Sequence, residues 1–160
     1  ETDRKGRTSY KESMILIWNH SVFNVSDEGF FLSDPSDVFE REPYVVNITH
    51  QNSTFTLITA HLQPRAVDEE LSELRSALSS IEMPFLLLGD LNADCTYYDE
   101  NDVEMYTWLV PDSADTTSGD SDCTYDRIIT NSDMFSGFSV HTTVSTSDHY
   151  PVSTVLCQSC

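Results

Sequence analysis

Apolar residues along this chain form several short strand-like runs and one helical stripe. β-branched and aromatic residues dominate residues 44–49 and 54–61, which predicts two paired strands joined by a turn. Between residues 66 and 81 apolar residues recur at intervals of three and four, which predicts one amphipathic helix. Pro84 prevents its continuation, and the four large apolar residues 85–88 then predict a buried strand.

Shorter apolar segments lie before residue 44 and after residue 88. Residues 14–18 and 30–32 predict short strands, and residues 34–40 predict a polar loop. Residues 103–110 predict a short helix, followed by a loop rich in Asp, Ser and Thr over 111–123. Three more strands are predicted over residues 125–130, 138–143 and 150–156. This order of elements predicts stacked sheets with helices outside, an α/β sandwich.

Size and charge narrow the possible functions. The chain has 160 residues, 39% of them hydrophobic, which suits one domain or a large piece of one. No apolar run approaches the roughly 20 residues that span a membrane, so we expect no membrane partner. The net charge of -19 disfavours anionic lipid and non-specific DNA binding through the bare surface. Bound divalent cations could still reverse the local field at a phosphate, so the acidity fits metal-dependent chemistry, calcium binding or simple solubility.

Sequons and cysteines point to a secreted glycoprotein with disulfides. The four sequons begin at Asn19, Asn24, Asn47 and Asn52, and the chain has four cysteines. Cys157 and Cys160 have the spacing of metal ligands, but the chain offers no second cysteine pair or nearby His cluster, so disulfide bonding is favoured over zinc. Because the chain begins at Glu1 with neither an initiator Met nor a signal peptide, we expect a processed product or a fragment.

Several predicted strands begin or end with polar side chains of types that are uncommon in an apolar core. Local capping or solvation explains each one alone, but together they could converge on one sheet edge. Such a set suits metal-assisted hydrolysis of a phosphodiester: carboxylates hold a hard cation, one His activates water, and the other protonates the leaving group. The residues are Glu12, His61, Asp90, Asn92, Asp126, Arg127, Asp148 and His149.

Specific segments carry a resemblance to a known family. Residues 89–95 are Gly-Asp-Leu-Asn-Ala-Asp-Cys, and residues 147–152 are Ser-Asp-His-Tyr-Pro-Val. Together with residues 111–117 and 125–129, they resemble pancreatic-type deoxyribonuclease I, of the endonuclease/exonuclease/phosphatase superfamily. The segments Ser9-Tyr10-Lys11-Glu12, Arg41-Glu42-Pro43 and Ala60-His61 extend the resemblance, which runs in order from about residue 6 to residue 155.

The resemblance implies a deoxyribonuclease I-like four-layer sandwich, with two packed β-sheets flanked by helices and the N-terminal strands missing from this chain. Residues 1–156 would be the C-terminal portion of one domain, and residues 157–160 a Cys-containing tail. In the family the missing strands supply an Asn and a Glu to the metal site. We therefore expect an N-terminal companion chain, with Cys157 or Cys160 as the candidate for a disulfide to it. Actin binding is left undecided.

The resemblance also implies roles for individual residues. His61 with Glu12, and His149 with Asp126, would form the general acid/base machinery. The other implied catalytic, metal-binding and DNA-binding residues are Asn92 for the phosphate, Asp90 and Asp148 for catalytic Mg²⁺ or Mn²⁺, and Tyr10, Arg41 and Arg7 for DNA. Cys95 and Cys123 would form a disulfide. Structural Ca²⁺ would bind at Asp115 and Thr117, and at Glu28, Asp37 and Glu42.

These observations support one main function and two alternatives. The main hypothesis is a secreted, divalent-metal-dependent endodeoxyribonuclease that hydrolyses DNA phosphodiester bonds by His/His general acid-base catalysis, completed by a separate N-terminal chain. One alternative is a catalytically inactive secreted binding or structural protein that keeps the fold within a larger disulfide-linked assembly. The other is a phosphatase of the same superfamily acting on a lipid or nucleotide, which the segments around Asp115 and Tyr10 disfavour.

Overall fold

Two β-sheets and one helix make up the regular structure in a computed structural model, which describes residues 1–26, 28–98, 105–144 and 146–157. The elements are β1 Phe23–Val25, β2 Phe30–Phe31, β3 Tyr44–His50, β4 Ser53–Thr59, α1 Val67–Leu78, β5 Phe85–Asp90, β6 Thr107–Trp108, β7 Asp126–Thr130, β8 Phe135–Val140 and β9 Val152–Leu156. Across these ranges, no helix is long and apolar enough to cross a membrane.

The larger sheet has the strand order β1-β3-β4-β5-β7-β6, and β2 also pairs with β3. Strands β4 and β5 run parallel, because α1 carries the chain back between them. The remaining pairs of this sheet are antiparallel, and β8 and β9 form a separate antiparallel sheet. The predicted α/β sandwich of two sheets is therefore confirmed.

Strand β5 lies at the centre because both of its faces are apolar. Phe85 and Leu87 pack in the cluster that contains α1, whereas Leu86 packs with Phe135 of β8 in a second cluster. Alternate strand residues point to opposite faces, so a continuous apolar run suits a strand that is covered on both sides. Within the described residues, α1, the larger sheet and the smaller sheet form three successive layers of the sandwich. The buried apolar stripe of α1 comprises Val67, Leu71, Leu74 and Leu78.

Gly89 allows strands β4 and β5 to approach closely near their C-terminal ends. Its φ is 152°, and a Cβ atom added to it would collide with the carbonyl group of Ala60. The backbone N–H of Ala60 donates to the carbonyl oxygen of Leu88 at 3.1 Å, which holds the two strands together at this point. A residue with a side chain at position 89 would push apart the strand ends that carry His61 and Asp90.

Two sequence predictions about elements are wrong. The predicted helix over 103–110 includes residues 103 and 104, which lie outside the described ranges, and its described part contains strand β6. Thr107 and Trp108 pair with Thr130 and Ile129 of β7, so tertiary pairing overrides the helical pattern, and both residue types favour strands.

The predicted strand over 14–18 is the second error, since these residues form no strand. Met14 exchanges backbone and side-chain hydrogen bonds with Thr2, and Leu16 packs against the second cluster, but Ile15 and Ile17 are exposed. An apolar run becomes a strand only where a neighbouring backbone pairs with it, and no described strand does so here. The other predicted strands are confirmed, although β8 begins three residues earlier than predicted.

Candidate active site

Polar side chains meet at one edge of the larger sheet, where three neighbouring strands begin or end. His61 follows β4, Asp90 ends β5, and Asp126 begins β7. Parallel strands present their C-terminal ends at the same edge, and antiparallel β7 begins at that edge, directly opposite Asp90. His149 joins them through a backbone bridge to Thr117. The structure thus brings together the residues that the sequence placed at separate strand ends.

Two histidine–carboxylate pairs face Asp90 in a nearly symmetric arrangement. The Nδ1 atom of His61 lies 2.6 Å from Glu12 Oε2, and that of His149 lies 2.7 Å from Asp126 Oδ2. Their Nε2 atoms lie 3.5 Å and 4.0 Å from Asp90 Oδ2. Because an ionised carboxylate only accepts hydrogen bonds, each pair holds a proton on Nδ1. Each Nε2 is then a base when its ring is neutral and an acid when it is charged.

Burial and neighbouring charges tune two of these groups. Burial raises the pKa of Asp90, against the lowering effects of His61, the Asn92 N–H bond and His149, while Asp126 raises it further. Burial alone would lower the pKa of His149, but the hydrogen bond and charge of Asp126, with the negative charges of Asp90 and Asp148, raise it overall. His149 therefore keeps its proton to higher pH than an ordinary histidine.

Asn92 connects Asp90 to the segment that follows His61. Its backbone has a left-handed φ of 50°, which Asn tolerates better than most residues. Its backbone N–H donates to Asp90 Oδ1 at 3.0 Å, and its side-chain amide donates to the Leu62 carbonyl at 3.0 Å. The buried Asn92 thus holds the Asp90 carboxylate in place, and its predicted contact with phosphate stays a prediction.

Asp148 lies beside His149 but is open to solvent. Its carboxylate accepts the Ser147 hydroxyl at 3.0 Å, and its main-chain carbonyl accepts the N–H of Ser118 at 2.7 Å. The Ser147 hydrogen bond, a backbone hydrogen bond and the charge of His149 lower the pKa of Asp148. The carboxylate is therefore ionised and accessible, as a ligand of a cation must be.

An open cleft next to His61 contains two of the three predicted DNA contacts. Tyr10 and Arg41 line it, together with Arg65 and Tyr97. Tyr10 is 75% exposed, whereas Arg41 is only 5% exposed and donates to the His61 carbonyl at 3.1 Å and to Glu12 Oε1 at 3.1 Å. Arg41 therefore supports the His61–Glu12 pair from within the wall of the cleft.

Arg7 serves a different segment. Its guanidinium donates to the carbonyl oxygens of Asp37 and Val38 and lies 3.8 Å from Glu40 Oε2. These contacts fasten the N-terminal segment to the loop before Arg41, and the predicted DNA contact of Arg7 stays a prediction.

Three residues of the site escaped the sequence analysis. Arg65 and Tyr97 line the cleft, and Arg65 could have been noticed because the chain has only eight basic residues and this one follows His61 by four positions. Glu70 is fully buried below the same segment. It lies beside the apolar stripe of α1, three residues after Val67. An ionisable residue at a position that helical spacing places on the buried face is the sequence feature that could have identified it.

The predicted disulfide is confirmed, since Cys95 and Cys123 are bonded with their Cα atoms 5.9 Å apart. Cys157 is half-buried, with its Sγ 3.1 Å from Ser136 Oγ, while Cys160 and the rest of the predicted tail lie outside the described residues. All four sequon asparagines are exposed, as an attached glycan requires.

The predicted calcium ligands occupy two loops. Asp115 Oδ1 accepts both the backbone N–H and the hydroxyl of Thr117 at 2.9 Å, and that hydroxyl also contacts the carbonyl of Ser121. Glu28 and Asp37 are exposed, and Glu42 is half-buried. In the part of the chain that is described, no three or more His, Cys, Asp or Glu side chains form a group that could hold a metal ion. Both calcium sites stay predictions.

A divalent cation nevertheless suits the chemistry around Asp90. Its carboxylate is largely buried between two imidazoles, and burial raises its pKa, so a nearby cation would compensate for the cost of its charge. Asp148, whose charge also acts on His149, offers a second and solvent-exposed carboxylate. The described residues thus supply part of a ligand set for a hard cation.

Comparison with known proteins agrees with this geometry. The profile of the Endonuclease/Exonuclease/phosphatase family matches residues 7–149. Deoxyribonuclease-1-like 2 of Mus musculus is 37% identical over 140 residues, covering 78% of this chain and 50% of the relative. Deoxyribonuclease-1 of Gallus gallus is 31% identical over 145 residues, covering 78% of this chain and 51% of the relative. The chain spans about half the length of these curated relatives.

Solved structures share the fold. The D. rerio TDP2 crystallised with a single strand DNA product superposes with a TM-score of 0.65 at 14% identity, covering 82% of this chain and 67% of that one. An endonuclease/exonuclease/phosphatase family protein from Bacteroides thetaiotaomicron superposes with a TM-score of 0.57 at 14% identity, covering 84% of this chain and 65% of that one. The two-sheet arrangement is therefore one that these proteins have in common.

Proposed function

The chain belongs to the endonuclease/exonuclease/phosphatase family, in its deoxyribonuclease I-like branch, and on this basis we propose that it hydrolyses DNA phosphodiester bonds as a metal-dependent endodeoxyribonuclease. The observation that carries this proposal is the pair of imidazoles on either side of Asp90. Each ring is oriented by its own carboxylate, so one can serve as base while the other serves as acid.

The proposed hydrolysis needs one proton removed and one supplied. A neutral imidazole accepts a proton from water at Nε2, the water oxygen bonds to phosphorus, and the charged imidazole donates its Nε2 proton to the leaving oxygen as that P–O bond breaks. The raised pKa of His149 favours it as the donor, because it stays charged at higher pH. His61 then acts as the base, with Glu12 stabilising its positive charge.

Metal binding forms part of the proposal. Mg²⁺ or Mn²⁺, when bound, neutralises charge on the phosphate and the leaving oxygen. Asp90 and Asp148 would hold it, with further ligands from a companion chain. Ca²⁺ would bind at Asp115 and Thr117 and at the second predicted loop, where it would stabilise these two loops.

The cleft suits a polyanion despite the net charge of -19. The exposed Arg65 lines it beside His61, and the exposed rings of Tyr10 and Tyr97 line it as well. Guanidinium groups bind phosphate oxygens, and tyrosine rings pack against sugars and bases. This arrangement supports DNA as the substrate that enters from the side of His61.

The companion chain is proposed from an apolar groove. Met14, Leu16, Trp18, Val25 and Val46 line it, and the neighbouring Ile17 is 88% exposed. An exposed apolar surface of this kind marks a contact surface. By the family resemblance, a strand-bearing chain in this groove would also bring a carboxylate to the metal site. Intact mass before and after reduction tests this, because a disulfide-linked companion would be released by the reductant.

Secretion and glycosylation complete the proposal. The exposed sequons and the confirmed disulfide both suit an oxidising extracellular compartment. Treating the protein purified from eukaryotic culture medium with a peptide N-glycosidase should reduce its mass and convert each occupied Asn to Asp. Absence of the protein from the medium, or an unchanged mass, would contradict this part.

The decisive experiment is plasmid nicking by the full-length protein, together with any companion chain that purifies with it. We expect nicking with Mg²⁺ and Ca²⁺, loss with EDTA and recovery with excess Mg²⁺. His61→Ala and His149→Ala should each lower the rate by about 10²- to 10⁴-fold. His20→Ala is the matched control, because His20 is exposed and outside the cleft. Wild-type rates in either of the first two variants would refute the proposed function.

An inactive binding protein is the second candidate, and the exposed Ile15 and Ile17 favour it because they need a partner. Non-reducing electrophoresis separates the two. A companion chain that carries an Asn and a Glu in a strand supports the nuclease, whereas an unrelated partner together with absent nicking supports the binding protein.

A further inference from the structure

Glu70 of α1 is a buried carboxylate that the proposed reaction does not use. It is 0% exposed, and its two oxygens accept backbone N–H groups from two different segments. Oε1 lies 2.6 Å from the nitrogen of Glu40, and Oε2 lies 2.8 Å from the nitrogen of Gln63. A buried carboxyl group is costly unless it is hydrogen-bonded, so these two contacts offset the cost of burying it. They also fasten both segments to one helix.

The two segments carry the His61 half of the site. Glu40 directly precedes Arg41, and Gln63 follows His61 by two residues. Arg41 in turn donates to the His61 carbonyl and to Glu12, whose other oxygen binds the imidazole at 2.6 Å. A shift of either segment therefore reaches the imidazole through one or two hydrogen bonds.

The chemistry at position 70 requires an acceptor on both sides. A carboxylate has two accepting oxygens, which match the N–H groups of Glu40 and Gln63. Glutamine would direct its NH₂ group at one of these donors, and leucine would leave both unpaired. Burial raises the pKa of Glu70 overall, against the lowering effects of the two N–H bonds and of the positive charges of Arg41 and Arg7.

The His149 half of the site is held in another way. Asp126 belongs to β7, and His149 is fixed by its bridge to Thr117. We propose that Glu70 is a positioning residue that holds His61 and Arg41 in register with Asp90, without touching the substrate. This inference rests on the proposed nuclease function.

The test compares Glu70→Gln with Glu69→Gln, an exposed position on the same helix, in the full-length protein. We expect kcat for plasmid nicking to fall by about 10- to 100-fold with little change in KM, because a displaced catalytic group slows the reaction more than it weakens binding. Glu69→Gln should match the wild type.

A second readout does not depend on activity. Proton NMR should show two downfield ring N–H signals, one for each carboxylate-bound Nδ1–H, assigned with the His61→Ala and His149→Ala variants. In Glu70→Gln the His61 signal should shift or broaden, while the His149 signal should stay unchanged.

Several results would overturn the inference. Wild-type kcat with an unchanged His61 signal would do so, as would loss of both ring signals together, which would indicate a general structural role. A fall in kcat with both signals unchanged would also contradict it. If the wild type does not cut DNA, the proposed function fails, and the two ring signals alone decide the positioning role. If Glu70→Gln does not fold, Glu70→Asp, which keeps the charge on a shorter side chain, is judged by the same two readouts.

Discussion

Replacing Gly89 with alanine should separate the two strand ends that form the centre of the site. The added Cβ would lie far inside 3.0 Å of the Ala60 carbonyl group, closer than real Cβ contacts come. Relieving this collision requires β4 and β5 to move apart by on the order of 1 Å, as forced overpacking does. The distance from His61 Nε2 to Asp90 Oδ2 is 3.5 Å, so this shift is a large fraction of it.

Two free-energy costs and one kinetic cost follow from that shift. Overpacking costs about 1–3 kcal/mol, and the sparsely populated backbone conformation at a φ of 152° adds about 1–3 kcal/mol for a residue with a side chain. The sum of about 2–6 kcal/mol lowers the melting temperature by about 4–24 °C for a protein of this size. A misplacement of about 1 Å also lowers kcat by about 100-fold.

The assay measures nicking by Gly89→Ala at a temperature at which circular dichroism shows it fully folded. Gly137→Ala is the matched control, because its φ of 64° is also strained for alanine but its added Cβ meets nothing within 4 Å. The control should lose about 1–2 kcal/mol and keep its kcat. The reasoning is refuted if Gly89→Ala keeps wild-type kcat and melts no lower than the control.

Further predictions concern the charges and the covalent link around the site. Asp126→Asn should lower the pKa of His149, seen by NMR titration, and move the alkaline limb of the pH–rate profile to lower pH. Because the pKa of His149 is raised in the fold, its charge stabilises the native state fully below about pH 6.5 and loses this effect as pH rises through the raised value. The melting difference from the wild type should therefore be larger near pH 6 than near pH 9, and a constant difference would contradict the assignment. Arg127→Met should destabilise by about 2–6 kcal/mol in urea melts, because it leaves the two carbonyls of Ala93 and Val110 without their buried donor, at about 1–3 kcal/mol each, and a loss below about 1 kcal/mol would count against this. Cys95→Ser and Cys123→Ser should each cost about 3–4 kcal/mol, as should the double variant, because one cross-link across 28 positions is lost in all three.

Local patterns predicted the parts of the fold that depend on local chemistry. The β3–β4 hairpin follows from the strand-forming residue types of its two segments, and the apolar stripe of α1 follows from apolar residues at helical spacing. Both patterns involve only residues that are close together in the sequence. Strand β6 was missed because a two-residue strand exists only through its pairing with β7. The 14–18 run has the residue types of a strand, but strand formation also needs a backbone partner.

Polar residues at the ends of predicted strands indicated which side chains belong to the site, but not how these side chains pair. The family resemblance supplied the pairing of His61 with Glu12, since spacing alone says nothing about residues 49 positions apart. Helix periodicity shows that position 70 is buried. It does not show that the backbone N–H groups of Glu40 and Gln63 lie beside this position, and the role of Glu70 depends on them. The burial of Arg41 also went unforeseen, because it depends on the three-dimensional path of Glu12 past the end of β4.

The long separations within the site have a consequence for how the protein is made. Glu12 pairs with His61 across 49 positions, and Asp126 pairs with His149 across 23, so both contacts close large loops. Closing such loops is slow and comes at the expense of chain entropy, which local hairpins and helices largely avoid. The acid/base geometry should therefore form late, after the hairpin and α1. In a polypeptide still emerging from the ribosome, Glu12 and Asp126 would be present before the histidines that they pair with. The proposed activity would then begin only once the whole domain has closed.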